Sequence, residues 1–569
     1  MRLSDKLAVL GQVLRWRLTW TRRDLDFCPD DVDADSFMSA RDAVSLIADG
    51  STVISCGMAA NARCSALFWA VAEAFQRSGR PRDLTWIAIG GQGGRGRVPG
   101  TVEEIGLDGL LACFISGHTE TCRSILRLAA AGRTELHVMP QGEMTALLEA
   151  QARGETWVTS DTGVGTFLDP RVGRGSAVTP CERNLVEVCG TMLRYTLPDI
   201  DIAMFSAPYA DRHGNVYFRH AATITENIEA AHAARANGGK VLAVVSGLTE
   251  YDPEQVSLHA DEVDAIVVNP FNEQTGSVPQ KRFWASFTPG GDGADHRAIA
   301  RLRYINRILK ITPRRGPVEQ MLARLGALTF AREVEPGATV NIGVGFGEEV
   351  CRLLYESPLA TKLKFTTETG VYGGMPAPGI FFGAAVNPER MESSAWMFRH
   401  YRQCLSATVL GFLQVDSAGN VNVSKRADDV ADYVGPGGFP SIVASARCVF
   451  FVGTWMAHAQ WEINAGRLRL SRPGTPKFVA EVDEITFSGE QALLNGKRVF
   501  YITNIGVLEL TAAGLVLSGV MPGVDIRRDV LDATKARILL PDGGAVPIIP
   551  ECVVSGDGFA LQWGGLRNN

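Results

Sequence analysis

The chain has 569 residues, 46% of them apolar and 21% charged, and a formal net charge of −6. That length exceeds one ordinary hydrophobic core, so two large domains or several smaller ones are expected. The charge balance offers no broad basic footprint for nucleic acid, no apolar run reaches the length of a membrane span, and the 11 cysteines include no CxxC pair of the zinc or thioredoxin type.

Leu3, Leu7, Leu10 and Leu14 share one face of a helix, with Arg15, Arg17, Arg22 and Arg23 close by. Such a stripe ordinarily packs on the protein's own body; a membrane surface is the other reading. Asp5 and Lys6 interrupt the segment and no cleavage-site pattern follows, so no signal peptide is expected. Cys56, Cys113 and Cys448 sit in apolar runs and read as buried thiols of a reducing, cytoplasmic compartment.

From Ser51, "STVISCGMAANARCSALFWAVAE" reads as a short strand, a glycine turn and a helix, and "LTWIAIGGQGG" from Leu84 as a strand ending in glycine. The loop "GGQGGRGRVPG" lacks the G-K-[ST] ending of a phosphate loop, although Arg95 and Arg97 are candidates to meet phosphates. A turn "DRHGNVYF" at Asp211 and a buried strand "KVLAVV" from Lys240 follow. The same grammar returns later. "ATVNIGVGFGEEVCRLLYE" begins at Ala338, "LKFTTETGVYGG" at Leu363, "DSAGNVNV" at Asp416 and "CVFFVG" at Cys448. The repeat implies a duplicated α/β domain with mainly parallel sheets covered on both faces. Its expected boundaries are a helical extension over 1–36, a first domain over 37–286, a linker over 287–317 with a basic helix, and a second domain over 318–569.

Ligands of such sheets sit outside the carboxyl ends of strands. Glu368 lies at one such end, and its counterpart in the first half is Ile89. Three readings of Glu368 compete. It is an exposed turn acid, as most glutamates are. It holds a ribose hydroxyl about twenty residues after a GxGxxG turn, although Glu348 stands where the third glycine belongs and Glu349 follows, two charges that oppose a pyrophosphate. Or it is a covalent nucleophile, facing a Gly- and Ala-rich segment whose bare backbone over 370–385 can bring N–H groups up to an oxyanion. The nine histidines show no HxxxH-type metal motif, so no metal is expected.

"ETGVYGGMPAPGIFFGAAVNP" resembles the active-site segment of family I coenzyme A transferases of the single-chain acetate/propionate/3-ketoacid type. "NIGVGFGEEV", "VMPQGEM", "VGTFLDPR", "GFLQVDSAGNVNVSKR" and "GPGGF" extend the resemblance over almost the whole chain. It implies two packed α/β domains with the site in the cleft between them, and Glu368 as the nucleophile that carries CoA as a glutamyl thioester. It further implies Gln141 near the reacting carbonyl. Asn341, Gly343, Val344, Gly345, Gly383, Ala384, Gly437 and Gly438 would line the path of CoA. The implied reaction is reversible CoA transfer between an acyl-CoA, short-chain in that type, and a free carboxylate such as acetate. CoA is then a substrate and no cofactor stays bound. The partners are small molecules only, and a homo-oligomer, dimer or tetramer, is implied. An acyl-CoA hydrolase and a non-catalytic CoA-binding protein are the alternatives. One stretch departs from the family pattern: "MFRHYRQCLSAT", from Met397, has Arg399, His400 and Arg402 where relatives carry acids and glycines. Surface drift and an altered acyl pocket both account for it.

Overall fold

The computed structural model describes residues 1–58, 61–94, 98–271, 284–291, 295–310 and 315–567. Arg95 and Arg97 lie outside the described residues.

Two sheets organise the chain. In the first, the spatial order is Ala265–Val268, Lys240–Thr249, Ile202–Asp211, Thr52–Ser55, Leu84–Ala88, Leu111–Ser116 and Glu135–Val138, with every neighbouring pair parallel. The strands read as unbroken apolar runs because helices such as Ser65–Ser78 and Asn227–Ala236 connect them and cover the faces. Val53, Ile54, Ile87 and Phe114 are wholly buried, as are Cys56 and, nearly so, Cys113.

The second sheet repeats the frame. Its central order is Lys364–Thr367, Thr339–Ile342, Leu405–Leu410, Cys448–Val452 and Arg498–Thr503, again all parallel. This is the first sheet's order of 84–88, 52–55, 202–211, 240–249 and 265–268, element for element. Antiparallel strands widen both edges: Val371–Tyr372 and Arg390–Met391 on one side, Gly506–Thr511 and Gly514–Val520 on the other. The matched turns also agree in detail. Asp211 accepts from the N–H groups of His213 and Asn215 and from the Asn215 amide, and Asp416 does the same with Ala418 and Asn420. Two aspartates thus close the same local loop by the same side-chain-to-backbone bonds.

The apolar core beneath the first sheet continues into the second half through Met397, Phe398 and Tyr401, so the halves meet over buried surface. A second core joins the other face of the second sheet to helix Pro317–Glu333. A third lies apart. There, helix Leu3–Thr19 packs on helix Asp295–Leu309, and both cover the segment from Met375 to Val386. Trp16 stacks on Trp284 with ring centroids 6.4 Å apart, and Trp284 meets Phe381 at 6.0 Å. The face of helix Leu3–Thr19 that packs is Val9, Val13 and Trp16. The leucine stripe expected to face the body instead points outward, a correction whose physical cause is that this helix has two apolar faces and only one reaches the core.

Candidate active site

Glu368 follows strand Lys364–Thr367 directly and is half-buried. The neighbouring strand supplies its partner. Asn341, in parallel register with Thr366, donates from Nδ2 to Glu368 Oε2 at 3.2 Å. Asn341 is itself fully buried and its orientation is fixed on every side. Thr408 donates to its Oδ1 at 3.3 Å, and its amide also donates to the Tyr401 hydroxyl at 3.1 Å. Tyr401 then donates to Thr366 Oγ1 at 2.9 Å, and Thr366 to the Val340 carbonyl at 3.0 Å. The bonds run in one direction, so the Asn341 amide has little choice but to present its remaining hydrogen to the carboxylate. Burial raises the Glu368 carboxyl above the usual carboxylate range, while its own N–H and Asn341 pull it back. The carboxylate form is therefore poorly solvated and held chiefly by Asn341, which favours nucleophilic attack.

The residues on either side of Glu368 hold the facing loop. Thr367 Oγ1 donates to the Gly383 carbonyl at 3.0 Å, and Thr369 Oγ1 donates to the same oxygen. Gly370 turns the chain at φ 104°, where a Cβ would lie 1.9 Å from the Glu392 carbonyl. These bonds fix the Gly383–Ala384 backbone beside the strand end, and the buried Gly383 N–H has no acceptor among the described residues. From below, Asn306 donates to the Pro378 carbonyl at 2.9 Å and accepts from Ile380 N–H at 3.1 Å. From the first half, Asn61 donates to the Phe382 carbonyl at 2.8 Å.

Gly343 to Gly345 form the turn between strand Thr339–Ile342 and helix Phe346–Tyr355, with Val344 exposed. Glu348 accepts from Gly345 N–H at 3.3 Å and from Gly379 N–H at 3.0 Å. An acid in the position of a third dinucleotide glycine therefore ties this turn to the Gly383 segment, and a pyrophosphate would have to displace it.

Gln141 begins helix Gln141–Ala152 of the first half and is buried. Its backbone N–H donates to Gly437 O at 3.1 Å, and Gly437 N–H donates to Gly117 O at 2.6 Å. A Cβ on Gly438 would lie 3.0 Å from Gln141 Oε1 and 3.3 Å from the Phe398 ring, so a larger residue here would press on both side chains. The buried Gly438 N–H, like that of Gly383, has no acceptor among the described residues. Phe398 and Tyr401 share helix Ser394–Cys404 and meet edge-on at 6.1 Å. One helix thus links the Gln141–Gly438 contact to the Glu368–Asn341 pair.

That helix is the departing stretch. Arg399 pairs with Glu149, and Arg402 with the fully buried Glu143, which also accepts from Ser441 at 2.6 Å and Ser160 at 3.0 Å. The two arginines join the halves; neither lies free on the surface. His400 stacks on Trp396 at 4.5 Å and lies 3.1 Å from Cys404 Sγ. Burial lowers the His400 imidazole and raises the Cys404 thiol, so this pair rests neutral and offers no thiolate. Cys351 is likewise pushed up by burial.

Sequence reasoning missed Tyr401, Thr367, Thr369, Asn61 and Asn306. Asn306 alone left a signal: it is a polar residue on the helix face otherwise formed by Leu302, Ile305 and Leu309. Cys113, Glu135 and His137 also approach within 4.8 Å of one another. They do so because Cys113 and Glu135 are register partners and His137 is two residues further along the strand.

Comparisons with known proteins identify the family. The family model described as "Coenzyme A transferase" matches residues 37–269. The caffeate CoA-transferase of Acetobacterium woodii is 31% identical over 515 residues, covering 87% of this chain and 93% of the relative. The acetate CoA-transferase YdiF of Escherichia coli K12 is 31% identical over 507 residues, covering 87% of this chain and 91% of YdiF. Among solved structures, the apoenzyme of acyl-CoA transferase YdiF from Escherichia coli O157:H7 superimposes with a TM-score of 0.77 at 27% identity, covering 93% of this chain and 98% of that one. Its thioester complex with CoA gives the same TM-score. With 87% of the chain aligned to CoA-transferases at 31% identity and its fold superimposed on that of YdiF, the chain belongs to the coenzyme A transferase family and is a CoA-transferase.

Proposed function

We propose that this enzyme moves CoA reversibly between an acyl-CoA and a small free carboxylate, by way of a thioester on Glu368. The observation that carries the proposal is Glu368 itself. It is a strand-end carboxylate aimed by Asn341 and raised by burial, and the threonines on either side of it bond the carbonyl of Gly383, whose buried N–H has no acceptor among the described residues. A carboxylate oxygen of Glu368 attacks the acyl carbonyl, the C–S bond breaks, and CoA thiolate leaves a mixed anhydride behind. The thiolate attacks the glutamyl carbonyl, the anhydride C–O bond breaks, and the first carboxylate departs. An acceptor carboxylate reverses both steps on the new acyl group. No net proton, water or nucleotide is consumed, since each step exchanges bonds of similar energy.

Each tetrahedral intermediate places charge on a carbonyl oxygen, and preorganised donors lower that barrier. The N–H groups of Gly383 and Gly438 and the Gln141 side chain are assigned to that role. Gly343, Val344 and Gly345, with Ala384 and Gly437, are assigned to the path of CoA. The halves 37–286 and 318–569 act as the two domains, joined through the segment 287–317. The K12 acetate enzyme and the caffeate enzyme show by their names that relatives of similar identity differ in acid, so the acceptor is assigned only as a small carboxylic acid.

Initial rates measured against both substrates test the scheme. Parallel reciprocal plots and loss of transfer in Glu368→Ala are expected. Intersecting plots, or transfer retained by Glu368→Ala, would overturn it. Thiol release at full rate without any acceptor acid would make the enzyme a hydrolase.

A further inference from the structure

We infer that helix Leu3–Thr19 docks the enzyme on the surface of an anionic phospholipid bilayer. This proposal is independent of the reaction assigned above. The helix carries Val9, Val13 and Trp16 into the protein, while Leu3, Leu7, Leu10, Leu14 and Leu18 are 74%, 60%, 42%, 61% and 77% exposed. Single exposed leucines are ordinary, but five in one stripe on one helix are not. At roughly 100° per residue, the stripe fills an arc of about 80°, centred about 130° away from the buried face. Lys6 and Arg17 flank it on one side and Arg15 on the other, and all three are exposed. Between the leucines and Arg15 lie Gly11 and Ser4, with Ala8 just beyond Arg15, side chains too small to hold the ridge away from a flat surface.

Charge selects the occupant. The first 23 residues hold six basic side chains, at Arg2, Lys6, Arg15, Arg17, Arg22 and Arg23, against the single acid Asp5, in a chain whose net charge is −6. The adjoining helix Asp295–Leu309, bonded to this one through Arg301 and Gln12 at 2.7 Å, adds Arg297, Arg303 and Arg307. Arg23 and Arg303 are ion-paired, to Glu73 and Glu356, but Lys6, Arg15, Arg17, Arg297 and Arg307 have no acidic partner among the described residues. A second copy of the chain would bring an identical basic helix against this one and repel it. An anionic bilayer takes the leucines among its acyl chains and the basic side chains among its phosphates, the pattern of an interfacial amphipathic helix. Among the described residues no helix is long and apolar enough to cross a membrane, so the contact proposed is with the surface.

Co-sedimentation of the full chain with phosphatidylcholine vesicles, and with phosphatidylcholine–phosphatidylglycerol vesicles at low and high salt, tests the inference. The enzyme should pellet with the anionic vesicles, remain free with the neutral ones, and release as salt screens the charges. Leu7→Glu/Leu14→Glu should reduce the bound fraction at least about tenfold, and its transfer activity in solution should stay unchanged. Failure to bind anionic vesicles would overturn the proposal, as would undiminished binding by the double variant. If sedimentation velocity shows that the double variant instead lowers the mass of the native assembly, the stripe is an interface between copies and the inference is wrong.

Discussion

Replacing Asn341 with alanine separates a catalytic carboxylate from an acid that merely sits in a turn. Asn341 holds the ionised Glu368 through one bond of 3.2 Å, within a network that leaves its amide no other orientation. A hydrogen bond to a charged group contributes about 1.5–3 kcal/mol. Because Asn341 favours the charged form, its loss moves the Glu368 carboxyl further in the direction that burial already drives it, upward. The nucleophile must be ionised, so the acid limb of the pH–rate profile should move to higher pH. Below the limb, kcat/KM should fall by the full value of the bond, about 10- to 150-fold at 1.36 kcal/mol per tenfold. Above it the loss should be smaller, since Glu368 is ionised in both proteins and the variant's carboxylate is the more basic. The assay is kcat/KM for acyl-CoA across the acid range, with melting temperature as a control for folding. An acid limb that stays in place, or a loss uniform across pH, would refute the reasoning.

Three further outcomes follow from other parts of the structure. Glu226 is fully buried, accepts from Gly57 N–H at 3.0 Å and Ser394 Oγ at 3.3 Å, and is pushed up to about 7 by burial. Its folded pKa lies above the unfolded one, so its stabilising effect is complete in acid and is lost as pH rises through about 7. Glu226→Gln should therefore melt close to the parent at acid pH and be more stable by about 1–3 kcal/mol above neutrality; equal melting temperatures on the alkaline side would contradict this. Asn306→Ala leaves the Ile380 N–H unpaired and removes one of the two donors to the Pro378 carbonyl. It should cost about 1–3 kcal/mol of stability and lower kcat, and an unchanged kcat would remove Asn306 from the support of the catalytic segment. Arg402→Ala strips the buried Glu143 of its cation. It should lower the melting temperature without changing the relative kcat/KM for mono- and dicarboxylates, and a changed preference would restore the altered acyl pocket.

The duplicated frame was legible because buried parallel strands are unbroken apolar runs, and Thr52–Ser55 and Thr339–Ile342 carry them at matching places. The strand-end position of Glu368 was legible from the apolar run before it and the glycines after it, while its proposed role rested on the family resemblance. The supporting residues were not, since their meaning depends on contacts far away in sequence. Arg399 and Arg402 read as a loss of acidic character until Glu149 and Glu143 stood opposite them. Tyr401 was one aromatic residue in that same stretch, and only the fold brings its hydroxyl to Asn341. The helix at Leu3–Thr19 misled in another way. Periodicity reveals apolar faces but not which of two is buried, and the face carrying Trp16 prevailed because Trp284 and Phe381 complete its packing.

The central claim is that Glu368 carries CoA covalently, and trapping that species tests it most directly. Incubation with acyl-CoA alone, with no acceptor acid, should add one CoA per active site by intact-mass measurement, and a carboxylate acceptor should remove it. The glutamyl thioester is electrophilic, so hydroxylamine or borohydride should inactivate the enzyme only after acyl-CoA is added, with the modification on Glu368. An enzyme that gains no mass, or one whose modification falls on Cys351 or Cys404, would contradict the account.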